Sequence, residues 1–226
     1  MFTRIVTSAL FAGFAAGLIA ALLQLHFVQP VLLHAELYES GALVHFGADT
    51  SHGNHPDING IDLVRDGLSI LFTALVYTGY ALIMIAMMAA AQDRGAEITP
   101  RNGLLWGIAG FFAVHFLPAF GLPPELPGSA AADVAPRQVW WFGTVAVSAL
   151  AMWLIAFGKN WSVWAIAVVL LLMPHIIGAP HPDTFTGPVP PELAGIFASR
   201  ALGVGLAAWV MLGLFSAYFW QRENEI

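Results

Sequence analysis

GLSILFTALVYTGYALIMIAMMAAA, Gly67 to Ala91, runs for 25 residues without a charged side chain. A hydrocarbon core is roughly 30 Å thick and takes about 20 residues of helix to cross, so this stretch can span a bilayer as one helix. Reading outward for apolar runs of about 18 residues or more adds spans at 7–33, 103–120, 139–157, 161–178 and 196–220. The runs 103–120 and 161–178 are short, and 139–157 nearly touches 161–178, which makes five spans the main alternative to six. Composition agrees: 58% of the 226 residues are hydrophobic and 10% charged, against about 25% charged in an average soluble domain. The expected fold is an all-α polytopic membrane protein, one membrane domain over 1–226.

Cysteine is absent, which excludes disulfides, thiolate metal sites and cysteine nucleophiles. The first apolar run carries no small-residue cleavage site leading into a soluble domain, so it reads as a retained span. With both termini cytoplasmic, the inner side holds Arg4, Arg94, Arg101, Lys159 and Arg222, and the outer side only Arg65, Arg137 and Arg200. That bias favours this orientation. The outer side also collects most carboxylates, which makes it anionic. The inner connections are short turns with no Walker pattern, so ATP hydrolysis by that mechanism is excluded. The outer connection 34–66 is the one sizeable polar segment, and long loops of this kind are functional or disordered.

The chain repeats itself. HFVQPVLLHAEL, from His26, aligns without a gap on HFLPAFGLPPEL, from His115; a looser third copy joins His175 to PPELAG at Pro190–Gly195. Each outer loop then re-enters through an arginine, Arg65, Arg137 or Arg200. The pattern suggests three helical hairpins about a pseudo-threefold axis along the membrane normal, a parallel-repeat arrangement. Carboxylate partners for the three arginines would be Glu36, Glu125 and Glu192, because an arginine at a helix start opposes the dipole; snorkelling to headgroups competes.

Metal-ligating residue types gather at the outer side. Pro30, Pro118 and Pro174, near His26, His115 and His175, cannot donate to the carbonyls four residues back, so they can free those of His26, Val114 and Leu170. Rings of imidazole and carbonyl would suit a cation path, whereas prolines that merely end helices would not make one. The segment VHFGADTSHGNHPDINGID, Val44–Asp62, brings His45, Asp49, His52, His55 and Asp57 close together in sequence. Imidazole suits cobalt, nickel, zinc or copper, whereas a magnesium or calcium site would favour oxygen alone. The spacing fits no zinc-finger template, so a collecting loop is expected, with a merely solvated loop as the alternative. Gly13 with Gly17 and Gly103 with Gly107 fit close helix packing. Met84, Met87 and Met88 read as packing before they read as ligands, and Trp140, Trp141 and Trp161 fall where an interfacial aromatic belt would lie.

Three stretches, HFLPAFGLPPELPG at His115–Gly128, RQVWWFGTVA at Arg137–Ala146 and PHIIGAP at Pro174–Pro180, resemble the CbtA family of probable cobalt transporter subunits, and the resemblance runs through nearly the whole chain. It implies a bacterial inner-membrane protein for cobalt uptake linked to cobalamin synthesis. It also implies a small single-span partner, CbtB-like, with a His-rich terminus. The family is usually described with five spans.

The leading functional reading is a non-enzymatic divalent-cation permease component. The His and acidic loop gathers the metal, and His115, His175, Glu125 and Glu192 define the entrance to a path. The transported ion is cobalt(2+), with nickel or zinc as alternatives, because affinity order alone cannot select cobalt. The expected surroundings are membrane lipid and the small subunit; a homo-oligomer is compatible with the sequence, and no feature points to nucleic acid. Two other readings stand beside this one: a membrane haem or metal redox protein with His115 and His175 as axial ligands, and a non-transporting metal-binding scaffold or sensor.

Overall fold

The computed structural model describes residues 1–45 and 62–225. Among them the chain is helical: α1 (Phe2–Leu23), a π-helical turn (Gln24–Val28), α2 (Gln29–Glu39), α3 (Leu63–Gln92), α4 (Pro100–Phe111), a second π-helical turn (Phe112–Phe116), α5 (Leu117–Ala119), α6 (Val134–Phe157), α7 (Trp161–Ile177) and α8 (Pro191–Glu225). Among the described residues, five helical stretches are long and apolar enough to cross a membrane: Phe2–Glu39, Leu63–Gln92, Pro100–Ala119, Val134–Phe157 and Pro191–Glu223. The sixth apolar helix, Trp161–Ile177, has 17 residues and is about 25 Å long, the lower limit for a span. The two candidate counts, six and five, differ by this helix alone.

The first and third of these stretches contain the π turns, and both turns stand just before a proline, Pro30 or Pro118. A proline in a helix clashes with the carbonyl four residues back and offers it no N–H. Widening one turn relieves the clash and carries the chain on in the same direction. Pro174 differs: α7 continues as regular helix through it to Ile177, and Gly178, at φ +85°, ends the helix.

The chain divides into two compact units. The first comprises Met1–His26, Ile61–Phe111 and Gly203–Ile226; the second, Phe27–Gly60 and Phe112–Leu202. In the first unit, α1 buries a stripe of small residues at steps of four: Ser8, Ala12, Ala16 and Ala20, with Ala9, Gly13, Gly17 and Ala21 beside them. Such a stripe lets two backbones approach closely. A side chain at Gly13 would overlap the Thr78 backbone, and one at Gly17 would meet Ala74 and Tyr77 of α3. Leu10, Phe11, Phe14 and Leu22 remain exposed on α1, as expected of a lipid-facing side. The second expected glycine pair behaves likewise: Gly103 and Gly107 on α4 meet Gly213 and Trp209 of α8. Met84 and Met88 are buried in this packing, and the Met84 methyl lies beside Gly110. Trp220 closes the unit by donating from Nε1 to Gln92 Oε1 at 2.7 Å.

In the second unit α6 is the central element, packed against the π turn Phe112–Phe116, α5 and α7. Its buried positions Thr144, Ser148 and Ala151 follow helical spacing below Trp140, while Val139, Phe142 and Leu150 are exposed. Gly158–Asn160 is the short turn into α7.

Candidate functional site

The repeated Glu-Leu motifs have three different backbones. Glu36 and Leu37 lie in α2 and Glu192 and Leu193 in the first turn of α8, while Glu125 and Leu126 lie in the loop between α5 and α6. Only one of the three copies therefore places its Glu-Leu motif in a loop. PPELPG and PPELAG diverge because Pro127 keeps Leu126 out of helical conformation, whereas Ala194 donates its N–H to the Pro190 carbonyl at 3.2 Å and continues the helix. In the loop copy, Leu126 is buried and anchors the chain. Gly128 takes φ +76°, a conformation that favours glycine, and a side chain there would press on Pro188 at 3.2 Å. A backbone bond from Ala130 N–H to the Thr186 carbonyl, 2.8 Å, joins this loop to the one after α7.

The arginines also take separate routes. Arg137, from α6, reaches Glu125, with Nη2 to Oε2 at 2.6 Å. Arg65 bonds to the neighbouring Asp66 through Nε at 2.9 Å, next to the α3 start, where Asp62 Oδ1 accepts from the Val64 and Arg65 N–H groups. Arg200, from α8, donates to the Phe27 carbonyl at 3.1 Å, which belongs to the first π turn, where helical pairing is disturbed. Glu36 and Glu192 are exposed.

Of the candidate histidines, His115 and His175 fall in the second unit and His26 in the first. His26 is exposed in its π turn. His115 stands in the other π turn with its Nε2 buried. His175 is in the last turn of α7, and its Nε2 is buried without a hydrogen-bond partner among the described residues. His45 is exposed; Asp49, His52, His55 and Asp57 lie outside the described residues. Among the described residues, no three His, Asp or Glu side chains gather as a metal-holding group. A groove of about 390 Å³ beside Arg137, lined also by Leu122, Val134, Gln138, Trp141 and Phe142, offers no histidine.

Around His175 the three stretches quoted above converge. Phe120 meets the imidazole edge-on at 5.7 Å between ring centroids and Trp140 does so at 6.2 Å. Trp140 Nε1 donates to the Pro174 carbonyl at 3.2 Å. Gly121 makes room: a side chain there would come within 2.6 Å of both the Trp140 ring and Ala179. Thus His115–Gly128 supplies Phe120 and Gly121, Arg137–Ala146 supplies Trp140, and Pro174–Pro180 supplies His175 and Ala179. A family model described as probable cobalt transporter subunit (CbtA) matches residues 2–221.

The chain belongs to the CbtA family. No curated protein and no solved structure matches it. Membership makes this membrane protein a subunit, so a CbtA chain works with partner subunits, and it associates the chain with cobalt transport.

In this CbtA chain, composition and position point Trp140 only to an interfacial belt and single out neither Phe120 nor the Phe27 carbonyl. Trp140 had a readable signal: Trp140, Thr144 and Ser148 recur at steps of four opposite the apolar Val139, Phe142 and Leu150. The partner of Arg200 had none, because Phe27 is 173 residues away and contributes backbone.

Proposed function

We propose that this chain is the membrane-spanning component of a cobalt uptake system and that the ion is taken up at the second unit, with His175 and His115 as imidazole ligands. The observation that supports this most is the His175 Nε2, buried and without a hydrogen-bond partner among the described residues where three family stretches meet. A buried polar atom left unmatched is costly, and a neutral imidazole nitrogen is a good ligand for a divalent transition ion. Two imidazoles leave further coordination positions for water or for a partner's ligands. The segment with His45, Asp49, His52, His55 and Asp57 gathers the ion first, since a locally anionic surface concentrates a dication. Glu125 and Arg137 shape the loop above the site, and Glu36, Glu192, Arg65 and Arg200 have structural parts.

The chain sits in the bacterial inner membrane with both termini cytoplasmic, as the distribution of Lys and Arg favours. It works with a small single-span subunit carrying histidines and supplies cobalt for cobalamin synthesis. Inward movement of a dication down the membrane potential is worth roughly 4.6 kcal/mol per 100 mV, enough to drive accumulation without nucleotide hydrolysis by this chain. Cobalt accumulation by cells expressing the chain, with and without the small subunit, tests the proposal, alongside a deletion of Ser51–Asp57. Accumulation above that of cells lacking the chain, reduced by the deletion at low external cobalt, is expected. Accumulation equal to that of cells lacking the chain in both partner states would end it.

A further inference from the structure

We propose that Trp140 is the positioning residue for His175, acting through the Pro174 carbonyl so that the imidazole Nε2 is presented to the metal. The inference rests on the proposed metal role of His175 and adds a residue that does not touch the ion.

The Pro174 carbonyl already has a partner for helix closure, because the Gly178 N–H donates to it at 3.0 Å. The indole N–H of Trp140 adds a second bond to the same oxygen, at 3.2 Å. Backbone pairing therefore does not require Trp140; what the bond fixes is the position of the peptide immediately before His175. The same indole meets the imidazole edge-on, and Phe120 does so independently. Peptide and ring are held together, which limits the rotation available to an imidazole. Gly121 belongs to the device: its backbone passes where any side chain would strike the Trp140 ring at Cη2, 2.6 Å away, and Cζ2, 2.9 Å. Arg137, one turn before Trp140 on α6, is tied to Glu125 of the loop that carries Phe120 and Gly121. Groups that orient a metal-binding histidine commonly change affinity by about 10- to 100-fold when lost.

The test is cobalt binding to the purified full chain by equilibrium dialysis, comparing wild type with Trp140→Phe, His175→Ala and the double variant. Phenylalanine keeps an aromatic ring and removes the N–H. The expected result is a half-saturation roughly tenfold higher for Trp140→Phe, with no further loss when the substitution is made on the His175→Ala background. A purely structural tryptophan would weaken binding on both backgrounds. Gly121→Ala, which crowds the indole without altering its chemistry, is expected to reproduce the Trp140→Phe shift. Wild-type affinity in Trp140→Phe, or an equal loss on both backgrounds, would overturn the inference. If His175→Ala itself binds as wild type does, the metal role of His175 fails, a result distinct from failure of Trp140 alone.

Discussion

Arg137 Nη2 lies 2.6 Å from Glu125 Oε2 and ties the start of α6 to the loop that precedes it. The two side chains keep 27% and 33% of their exposure, so water screens the pair. Exposed ion pairs contribute about 0.2–1 kcal/mol. Glu125→Gln and Arg137→Gln should each lower the melting temperature in detergent only slightly, and the double variant should lose less than the sum. Wild-type-like cobalt uptake by Glu125→Gln is expected, because the proposal gives Glu125 a part in closing the loop and none in holding the ion.

The glycines divide into those with neighbours and those without. A side chain at Gly13 or Gly107 would enter the backbone of Thr78 or Trp209, whereas one at Gly79 or Gly143 meets nothing within 4 Å. Overpacking of this kind costs about 1–3 kcal/mol. Gly13→Val and Gly107→Val should reduce the yield of monodisperse protein on size exclusion, while Gly79→Ala and Gly143→Ala should elute as wild type does.

Pro118 sets the rotational position of His115. The π turn Phe112–Phe116 precedes it, and restoring an N–H at this position removes the reason for the wide turn. A return to regular α-helix changes the register by one residue, about 100° of rotation, and swings His115 away from the position in which its Nε2 is buried. Pro118→Ala should therefore fold with helix content at least equal to wild type and bind cobalt more weakly. Circular dichroism and equilibrium dialysis together check this; wild-type affinity would show that the turn does not place a ligand.

Arg200 donates to the Phe27 carbonyl at 3.1 Å. Arg200→Met keeps the aliphatic stem and removes the bond, a loss of at most about 1.5 kcal/mol, the low end for a charged donor, because the bond is exposed. Arg200→Lys should recover part of it. Thermal unfolding in detergent distinguishes the three proteins, and equal stability of Met and Arg variants would show that the bond contributes nothing.

Much of the fold was legible because membrane spans announce themselves by composition: the apolar runs and the glycine pairs at Gly13 and Gly103 need only local reading. The site was legible in part. Residue type and spacing single out His115 and His175 as candidates and also point to the Arg137–Glu125 pair, which forms between residues twelve apart. The difference between PPELPG and PPELAG rests on one position, Pro127 against Ala194, where backbone restriction outweighs the similarity of the surrounding motif. Arg200 and Trp140 bond to carbonyls of Phe27 and Pro174. Backbone acceptors are present at every residue, so sequence gives no means of choosing one. Spacing was also silent on the π turns, since a proline can end, kink or widen a helix and surrounding packing decides which.

If His175 and His115 hold cobalt, removing either imidazole lowers uptake. Uptake of radioactive cobalt into cells expressing equal amounts of wild type, His175→Ala and His115→Ala, with the small subunit present, tests it most directly. A loss of roughly tenfold or more at subsaturating cobalt for His175→Ala and a clear loss for His115→Ala are expected, with Glu125→Gln unchanged as the control. Full uptake by both histidine variants, at wild-type protein levels, would contradict it.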